Sequence, residues 1–259
     1  MASRKLEPHP VHDAPAMSEQ DGIRYLHFDS VWMQGAMQVS KPSHLVFEYT
    51  EQMMAWLLFL SPPKDKSIGI LGLGAGALTR FCLRHTQSQV ITVEWNPMVT
   101  AICQSYFRLG HHKRHSMIHD DAQEWVTDPL NHDSCAVLMV DLYDYTAQGP
   151  VCNSLVFYQG CRRVLGDLGI AVINLFGHHP SFHSNIRNIN KAFANRVIMF
   201  PETEDGNRIV LAFTGPPLEI EKEVFAARAA DVERRYGLPA TKWIRALSGE
   251  PQTDGLLRF

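Results

Sequence analysis

Ile70-Leu71-Gly72-Leu73-Gly74-Ala75-Gly76-Ala77 is an apolar run that breaks into alternating glycines. We predict a buried strand that turns sharply into a helix, because glycine accepts the backbone angles of a tight turn and lets the main chain approach a ligand. The first backbone N–H groups of such a helix are available to a ligand. The segment therefore predicts a strand, a ligand-binding loop and a helix, with a tight turn that binds nothing as the alternative.

Strand and helix signals alternate on the C-terminal side of this segment. Runs of strand composition at 67–72, 89–95, 117–119, 136–141 and 169–176 are separated by helical segments at 76–86, 97–107, 122–128 and 153–165. Parallel crossovers need a dozen or more residues, so this alternation predicts a parallel sheet with helices on both faces. After a helix near 181–194, strands at 196–200 and 208–213 flank turn-forming residues and predict an antiparallel hairpin. The expected fold is α/β, a doubly wound, seven-stranded, mostly parallel Rossmann-like sheet that ends in this hairpin.

We expect four segments along the chain. They are a flexible leader (1–21), a small N-terminal β-hairpin with a helix (22–62), the α/β domain (63–215) and a C-terminal helical extension (216–259). The hairpin cap is expected to pair residues 24–29 with 32–39, and the helix to run over 45–60 until prolines stop it. In the extension, a charged amphipathic helix is expected over 219–236, ended by Gly237.

Length and composition exclude several classes of protein. With 259 residues, of which 45% are hydrophobic and 20% charged, the chain has the composition of a globular protein. A net charge of −3 gives no positive field for a phosphate backbone, so we expect no nucleic-acid partner. The apolar run Ala55–Leu60 is far below the ~20 residues of a membrane span. The five cysteines form no Cys-x-x-Cys pair, which favours a reducing, cytoplasmic location.

Acidic residues follow the predicted strands at the sheet edge where open α/β sheets bind ligands. The glycine spacing fits both S-adenosylmethionine enzymes and dinucleotide-binding enzymes, and Glu94 can accept the ribose hydroxyls of either ligand. Asp121 follows the third strand, where an acid can accept a hydrogen bond from the amine of adenine. This position favours the S-adenosyl class over the dinucleotide class. A solvated Glu94 at a strand end, and an Asp120 that only caps the next helix, are the alternatives.

Asp141 and Asp144 follow the fourth strand. Two carboxylates in a loop at this edge can receive a cationic amine and take its proton. Because neighbouring carboxylates also raise the affinity of an amine for protons, one of them acts as a base only when the amine is desolvated. Ordinary loop acids that cap the next turn are the alternative.

The order of these motifs resembles that of the spermidine synthase (polyamine aminopropyltransferase) family. The matching elements are Gly72-x-Gly74-x-Gly76-x-x-x-Arg80, Val93-Glu94, Asp121-Ala122, Asp141-x-x-Asp144, Gly149-Pro150 and Phe157-Tyr158. The resemblance covers about Arg24 to Phe213 and implies a methyltransferase-like α/β domain behind a small N-terminal β domain. It also implies transfer of the aminopropyl group of decarboxylated S-adenosylmethionine to an amine such as putrescine. We further expect a homodimer.

The resemblance assigns roles to individual residues. The donor is expected to bind to Gly72, Gly74, Gly76, Glu94, Asp120, Asp121 and Ala122, with Glu94 at the ribose and Asp121 at the adenine. Asp141 is expected to be the general base and Asp144 to bind the amine. The substrate pocket is expected to include Gln34, Glu48, Tyr143 and Tyr158.

The chain also departs from the family pattern. The family's glycine-loop aspartate, which faces the amine of the donor, is Ala75 here, so we predict weak discrimination between decarboxylated and intact S-adenosylmethionine. The family's Tyr-His-Glu stretch corresponds to Val46-Phe47-Glu48, which removes two polar groups from the amine pocket. A methyltransferase and a catalytically silent nucleoside-binding module are therefore alternatives. An NAD-dependent oxidoreductase ranks last, because no hydride-transfer partner is visible.

Histidines cluster at two places, and their spacing raises the question of a metal site. The clusters are His111, His112, His115 and His119, and His178, His179 and His183. No cysteine or carboxylate completes an obvious ligand set, and Lys113 and Arg114 would repel a cation in the first cluster. We therefore expect no metal, although His178 and His179 follow the fifth strand and can touch a substrate.

Overall fold

A computed structural model describes residues 14–28, 33–143, 151–247 and 256–259. The strands are β1 (Ala16–Gln20), β2 (Ile23–His27), β3 (Met33–Gln38), β4 (Ser67–Leu71), β5 (Val90–Val93), β6 (His115–Ile118), β7 (Cys135–Val140), β8 (Ile170–Phe176), β9 (Val197–Met199), β10 (Asn207–Phe213), β11 (Glu219–Glu221) and β12 (Leu256–Arg258). The helices are α1 (Glu48–Gln52), α2 (Ala77–His85), α3 (Pro97–Tyr106), α4 (Ala122–Thr127), α5 (Leu155–Leu165), α6 (Phe182–Ala192), α7 (Lys222–Tyr236) and α8 (Ala240–Leu247). Ala55–Leu58 and Pro129–Asn131 form short 3-10 turns.

The central sheet has seven strands in the order β6-β5-β4-β7-β8-β10-β9. The first five strands in this order are parallel, while β10 runs antiparallel to both β8 and β9. Every residue of β7 is buried, as expected for a central strand covered on both faces by helices. The doubly wound sheet with its closing antiparallel hairpin is therefore confirmed.

The N-terminal cap is a three-stranded antiparallel sheet rather than a hairpin. The additional strand is β1, so the prediction of a leader that reaches residue 21 is wrong for its last part. Asp21 and Gly22 connect β1 to β2 with φ angles of 52° and 75°, which a two-residue hairpin turn requires. The side chains of β1 are mostly exposed, so the strand lacks the apolar alternation that would have revealed it.

The single helix expected over 45–60 is replaced by α1 and the 3-10 turn at Ala55–Leu58. All side chains of 53–58 are almost fully buried. One straight helix would turn part of this apolar run toward solvent, so the change in backbone path is what buries all of it. The run therefore belongs to the core of the chain itself.

The C-terminal extension packs on one face of the sheet. Helix α7 begins at Lys222, three residues later than predicted, because Glu219–Glu221 pairs with β12. Arg228 of α7 donates to the carbonyls of Leu57 (2.8 Å) and Leu60 (3.1 Å), which ties the helix to the core run. Helix α8 was not predicted.

The opposite face of the sheet is covered by α4, α5 and α6, so two apolar layers enclose the sheet and leave its carboxyl edge for a site.

Candidate active site

The glycine loop has the conformation that its sequence predicts. Gly72, Gly74 and Gly76 have φ angles of 90°, 49° and 73°, and α2 begins immediately afterwards. A Cβ atom at Gly72 would collide with the backbone oxygen of Asp141, so only glycine fits there. The loop following β4 and the loop following β7 are therefore in direct contact.

Arg80 holds the glycine loop from behind. Its buried guanidinium donates to the carbonyls of Pro42 (2.8 Å) and Phe107 (2.9 Å), and also to that of Ala75. Burial lowers the pKa of Arg80 to about 10. The arginine that follows the glycines therefore supports the loop.

Strand β3 packs directly on the glycine loop. A Cβ atom at Gly35 would lie 2.7 Å from the Cβ atom of Ala75, and one at Gly74 would lie 3.1 Å from the backbone oxygen of Gln34. Ala75 is only 2% exposed. An acidic side chain at this position would meet the backbone of the N-terminal sheet, so the small residue at 75 and the glycine at 35 fit each other.

Glu94 follows β5 and lies beside the loop. Its two carboxylate oxygens accept hydrogen bonds from the backbone N–H groups of Leu73 (3.0 Å) and Asn96 (2.8 Å). Burial raises the pKa of Glu94, and the backbone hydrogen bonds oppose this effect. A carboxylate has about four acceptor positions, so the backbone contacts do not use all of them.

A cavity of about 680 Å³ opens at the carboxyl edge of the sheet, between the glycine loop and the loop that joins β9 to β10. This volume is within the range of small-molecule sites. Its wall includes the apolar residues Phe28, Met33, Trp95, Val99 and Val151. A second part of the wall is polar and includes Asp141, Asn174, His178, Glu202, Glu204 and Asp205. The cavity therefore combines an apolar wall suited to a base or ring with an acidic wall suited to a cation.

Asp141 directly follows β7 and lines this cavity. Its Oδ1 atom accepts a hydrogen bond from the Asn174 amide (2.9 Å), and its Oδ2 atom accepts one from the Tyr49 hydroxyl (3.4 Å). Burial raises the pKa of Asp141 to about 6, although both hydrogen bonds act in the opposite direction. Asp141 is therefore a stronger base than an ordinary aspartate and still ionised near neutral pH.

Asn174 lies in β8, next to the strand that Asp141 follows, and is 2% exposed. Its side-chain oxygen accepts a hydrogen bond from the Asn207 amide (3.0 Å). Sequence reasoning missed Tyr49, Asn174 and Asn207. Only Asn174 carries a sequence signal, as a polar residue inside the apolar strand Ile170–Phe176.

The acids of the loop between β9 and β10 were also missed, because this stretch was interpreted only as a turn. Glu202, Glu204 and Asp205 all line the cavity. Glu202 pairs with His178, whose Nε2 atom lies 2.7 Å from Oε1. His178 therefore lies at the cavity, and its contact with a substrate stays a prediction.

Residues 46–203 match the family model of the spermine/spermidine synthase domain. The chain belongs to this family. A polyamine aminopropyltransferase from Chromobacterium violaceum is 30% identical over 244 residues, which cover 93% of this chain and 92% of the relative. The family resemblance of the sequence motifs is thus confirmed.

Solved structures show the same fold. A probable spermidine synthase from Corynebacterium glutamicum superposes with a TM-score of 0.67 at 18% identity, covering 92% of this chain and 93% of the other. Human methyltransferase-like protein 13 in complex with SAH gives a TM-score of 0.66 at 19% identity, covering 75% of this chain and 94% of that one. The expected methyltransferase-type architecture is therefore confirmed as well.

Several residues predicted from the family motifs lie at the cavity. Gly72, Gly74, Glu94, Gln34, Asp141 and Tyr143 belong to its lining. Gly76 lies at the end of the same loop, where its Cβ position faces the Arg80 guanidinium at 2.9 Å. Asp144 and Gly149-Pro150 lie outside the described residues.

Tyr158 and Glu48, which were predicted to bind substrate, are not part of the cavity lining. Tyr158 is fully buried in α5, and its hydroxyl donates to the Asn185 side chain (3.0 Å), so it belongs to the core. Glu48 is exposed at the start of α1 and accepts from Gln52 (3.1 Å). Successive helical residues point about 100° apart, so the α1 side chain that reaches Asp141 is that of Tyr49.

The predicted adenine-binding segment has a local structural role. Asp121, rather than Asp120, caps α4 by accepting from the backbone N–H groups of Gln123 (2.7 Å) and Glu124 (3.2 Å). Asp120 accepts from the backbone N–H of Asp121 (2.8 Å). With Ala122, they stand outside the cavity lining formed by the described residues.

The first histidine cluster makes contacts with threonines. His115 lies 3.1 Å from the Thr92 hydroxyl, and His119 lies 3.0 Å from the Thr100 hydroxyl. In the described part of the chain, no three His, Cys, Asp or Glu side chains are grouped as metal ligands would be. In the same residues, no helix is both long and apolar enough to span a membrane.

Proposed function

We propose that this chain is an aminopropyltransferase that moves the aminopropyl group of decarboxylated S-adenosylmethionine to an amine such as putrescine. The observation that carries the proposal is Asp141. It is a carboxylate of raised pKa in an acidic cavity, and its backbone touches the glycine loop at Gly72. A base for the amine and a loop for the nucleoside therefore meet in one site.

We place the nucleoside of the donor over the glycine loop, with its ribose hydroxyls on the free acceptor positions of Glu94. The apolar side chains of Trp95, Val99 and Val151 line the same cavity and suit the adenine ring. We retain Asp121 as the partner of the adenine amine. Asp121 is close to the cavity lining, because its charge adds to the effect of burial in raising the pKa of Cys152, and the preceding residue, Val151, lines the cavity.

The reaction is an in-line displacement at the carbon next to the sulfonium. The acceptor nitrogen forms the new bond to this carbon, the carbon–sulfur bond breaks, and methylthioadenosine leaves with the bonding electron pair. The donor already carries the activating positive charge, so the protein must orient the reactants and accept a proton from the amine. Asp141 is the proposed acceptor of that proton, and Asp144 the proposed second contact of the amine.

The acidic wall favours the decarboxylated donor. Ala75 alone predicts weak discrimination between the two donors, because no acid faces the donor amine from the glycine loop. However, Asp141, Glu202, Glu204 and Asp205 all line the cavity, and each would repel the carboxylate of intact S-adenosylmethionine. We therefore propose the decarboxylated molecule as the donor.

Product analysis tests the proposed function. The purified protein is incubated with decarboxylated S-adenosylmethionine and putrescine, and methylthioadenosine and spermidine are quantified by mass spectrometry. Equal amounts of both products are expected, with strongly reduced amounts from Asp141→Asn. A methylated amine formed from intact S-adenosylmethionine would identify a methyltransferase instead. Binding of methylthioadenosine without any product would identify a silent nucleoside-binding module.

We also propose a homodimer in the cytoplasm, with no membrane or nucleic-acid partner. All five cysteines are unpaired thiols and four of them are buried, which agrees with a reducing compartment. The mass of one chain is 29.3 kDa, so analytical ultracentrifugation separates monomer from dimer directly.

A further inference from the structure

We propose that Asn207 is a positioning residue that holds the Asn174 amide in the one orientation that donates to Asp141. The Asn207 amide lies 3.0 Å from the Asn174 oxygen, and the Asn174 nitrogen lies 2.9 Å from Asp141 Oδ1. The three side chains thus form a chain of hydrogen bonds from β10 through β8 to the end of β7. The inference rests on the proposed function in taking Asp141 as the base.

Orientation matters because the two ends of an asparagine amide have nearly the same shape and opposite chemistry. With its nitrogen toward Asp141, Asn174 stabilises the carboxylate. With its oxygen toward Asp141, it would repel the carboxylate and favour the protonated acid. An ionised Asp141 selects the first orientation itself, but a protonated one accepts either. The donor on Asn207 keeps the Asn174 oxygen engaged in both states.

Asn207 is well fixed for this role. Its backbone N–H donates to the Thr203 hydroxyl (3.1 Å), and its backbone oxygen accepts from the Thr203 N–H (2.9 Å). Gly206, with φ of 87°, permits the turn between them. Asn207 therefore starts β10 from a closed turn, and its side chain enters the cavity wall from a rigid position.

Other titratable groups surround Asp141, so the test must distinguish the effect of Asn207 on its pKa from theirs. Tyr49 of α1 donates to the second carboxylate oxygen, and Tyr143, on the same loop as Asp141, interacts with the Asn207 side chain. Across the cavity are His178, Glu202, Glu204 and Asp205. Tyr143 interacts with both Asn207 and Asp141, so an effect of Asn207 that runs through Tyr143 would add to that of Asn174→Leu, whereas an effect that runs through Asn174 would not.

The test is a titration of Asp141 that requires no activity. Protein labelled with ¹³C at aspartate carboxyl carbons is titrated by NMR, and the signal of Asp141 is assigned by its loss in Asp141→Asn. We expect Asn174→Leu to move the titration of Asp141 upward by about one pH unit, the scale of a lost hydrogen bond to a charged group. Asn207→Leu should move it in the same direction by less.

A double variant distinguishes positioning from an independent effect. If Asn207 acts through Asn174, adding Asn207→Leu to Asn174→Leu leaves the titration where Asn174→Leu alone puts it. Asn190→Leu is the matched control, because Asn190 donates to the Ile186 carbonyl (3.0 Å) on α6, and it should leave Asp141 unchanged. Asn207→Ala replaces Asn207→Leu in both experiments if the larger residue prevents folding.

An Asp141 titration that is unchanged by Asn207→Leu, or effects of the two substitutions that simply add, would overturn the inference. The acidic limb of the transfer rate provides a second readout and should move upward with the NMR titration. Because the titration is measured without substrate, an inactive wild-type protein would refute the proposed function and leave the inference about Asn207 standing or falling on its own result.

Discussion

Replacing Asp141 by asparagine should lower activity and raise stability at the same time. Asparagine keeps the shape of the side chain and can still accept from Asn174. It cannot take a proton from the amine, so turnover should fall about 10²–10⁴-fold, the usual contribution of general base catalysis. Donor affinity should change little, because the carboxylate is proposed to act on the acceptor.

The stability gain follows from the raised pKa of Asp141. Burial raises it from 3.8 to about 6, so the folded protein binds this proton more tightly than the unfolded chain does. The folded state is therefore destabilised progressively as pH rises from about 4 to 6, and by a constant amount above that. The full difference of about two pH units corresponds to ~3 kcal/mol, and partial exposure of Asp141 reduces this to about 1–3 kcal/mol.

Urea unfolding at two pH values measures this quantity. At pH 8 the Asp141→Asn variant should be more stable than the wild type by about 1–3 kcal/mol, and at pH 5 by about half as much. Parallel assays of spermidine formation give the loss of turnover. A variant that is less stable at pH 8, or whose advantage is the same at both pH values, would refute the assignment of a buried carboxylate with a raised pKa.

Three further predictions concern the walls of the cavity. Glu94→Ala should weaken the binding of methylthioadenosine by about 1–3 kcal/mol in calorimetry, the scale of lost hydrogen bonds to a charged group, and unchanged binding would remove Glu94 from the nucleoside site. Tyr49→Phe removes one donor from Asp141 and should move the acidic limb of kcat to higher pH, whereas an identical pH profile would show that the 3.4 Å contact has no effect on the base. Glu204→Gln should raise KM for putrescine more than it lowers kcat, because the acid is expected to attract the amine in ground and transition states alike; a selective loss of kcat would contradict that role.

The fold could be predicted from the sequence because its signals are local. The glycine loop, the alternation of strands and helices and the turn before β10 each occupy one short stretch, and parallel topology follows from their order. Glu94 and Asp141 could be placed for the same reason, since each directly follows a strand and the carboxyl ends of parallel strands meet at one edge. Strand β1 escaped prediction because its exposed side chains carry no apolar pattern.

The surroundings of Asp141 could not be predicted, because they come from segments that are distant in the chain. The donors to its carboxylate are Tyr49 of α1 and Asn174 of β8, and no sequence spacing relates either residue to position 141. Motif matching also assigned a substrate role to a residue that the structure places away from the cavity. Tyr158 matches a family motif, yet its helix turns it into the core, where its hydroxyl is satisfied by Asn185.

The position of the acids explains how a family member can function without the aspartate of the glycine loop. Ala75 is enclosed by Gly35 of β3, so the N-terminal sheet occupies the space that a longer side chain would need. The carboxylates that line the cavity come instead from the end of β7 and from the loop before β10. Negative charge therefore lies in the cavity itself, where it attracts a cationic amine and repels a carboxylate on the donor. Because Coulomb interactions are strongest at short distance and where solvent is excluded, the same acids should both bind the amine acceptor and exclude a donor that carries a carboxylate.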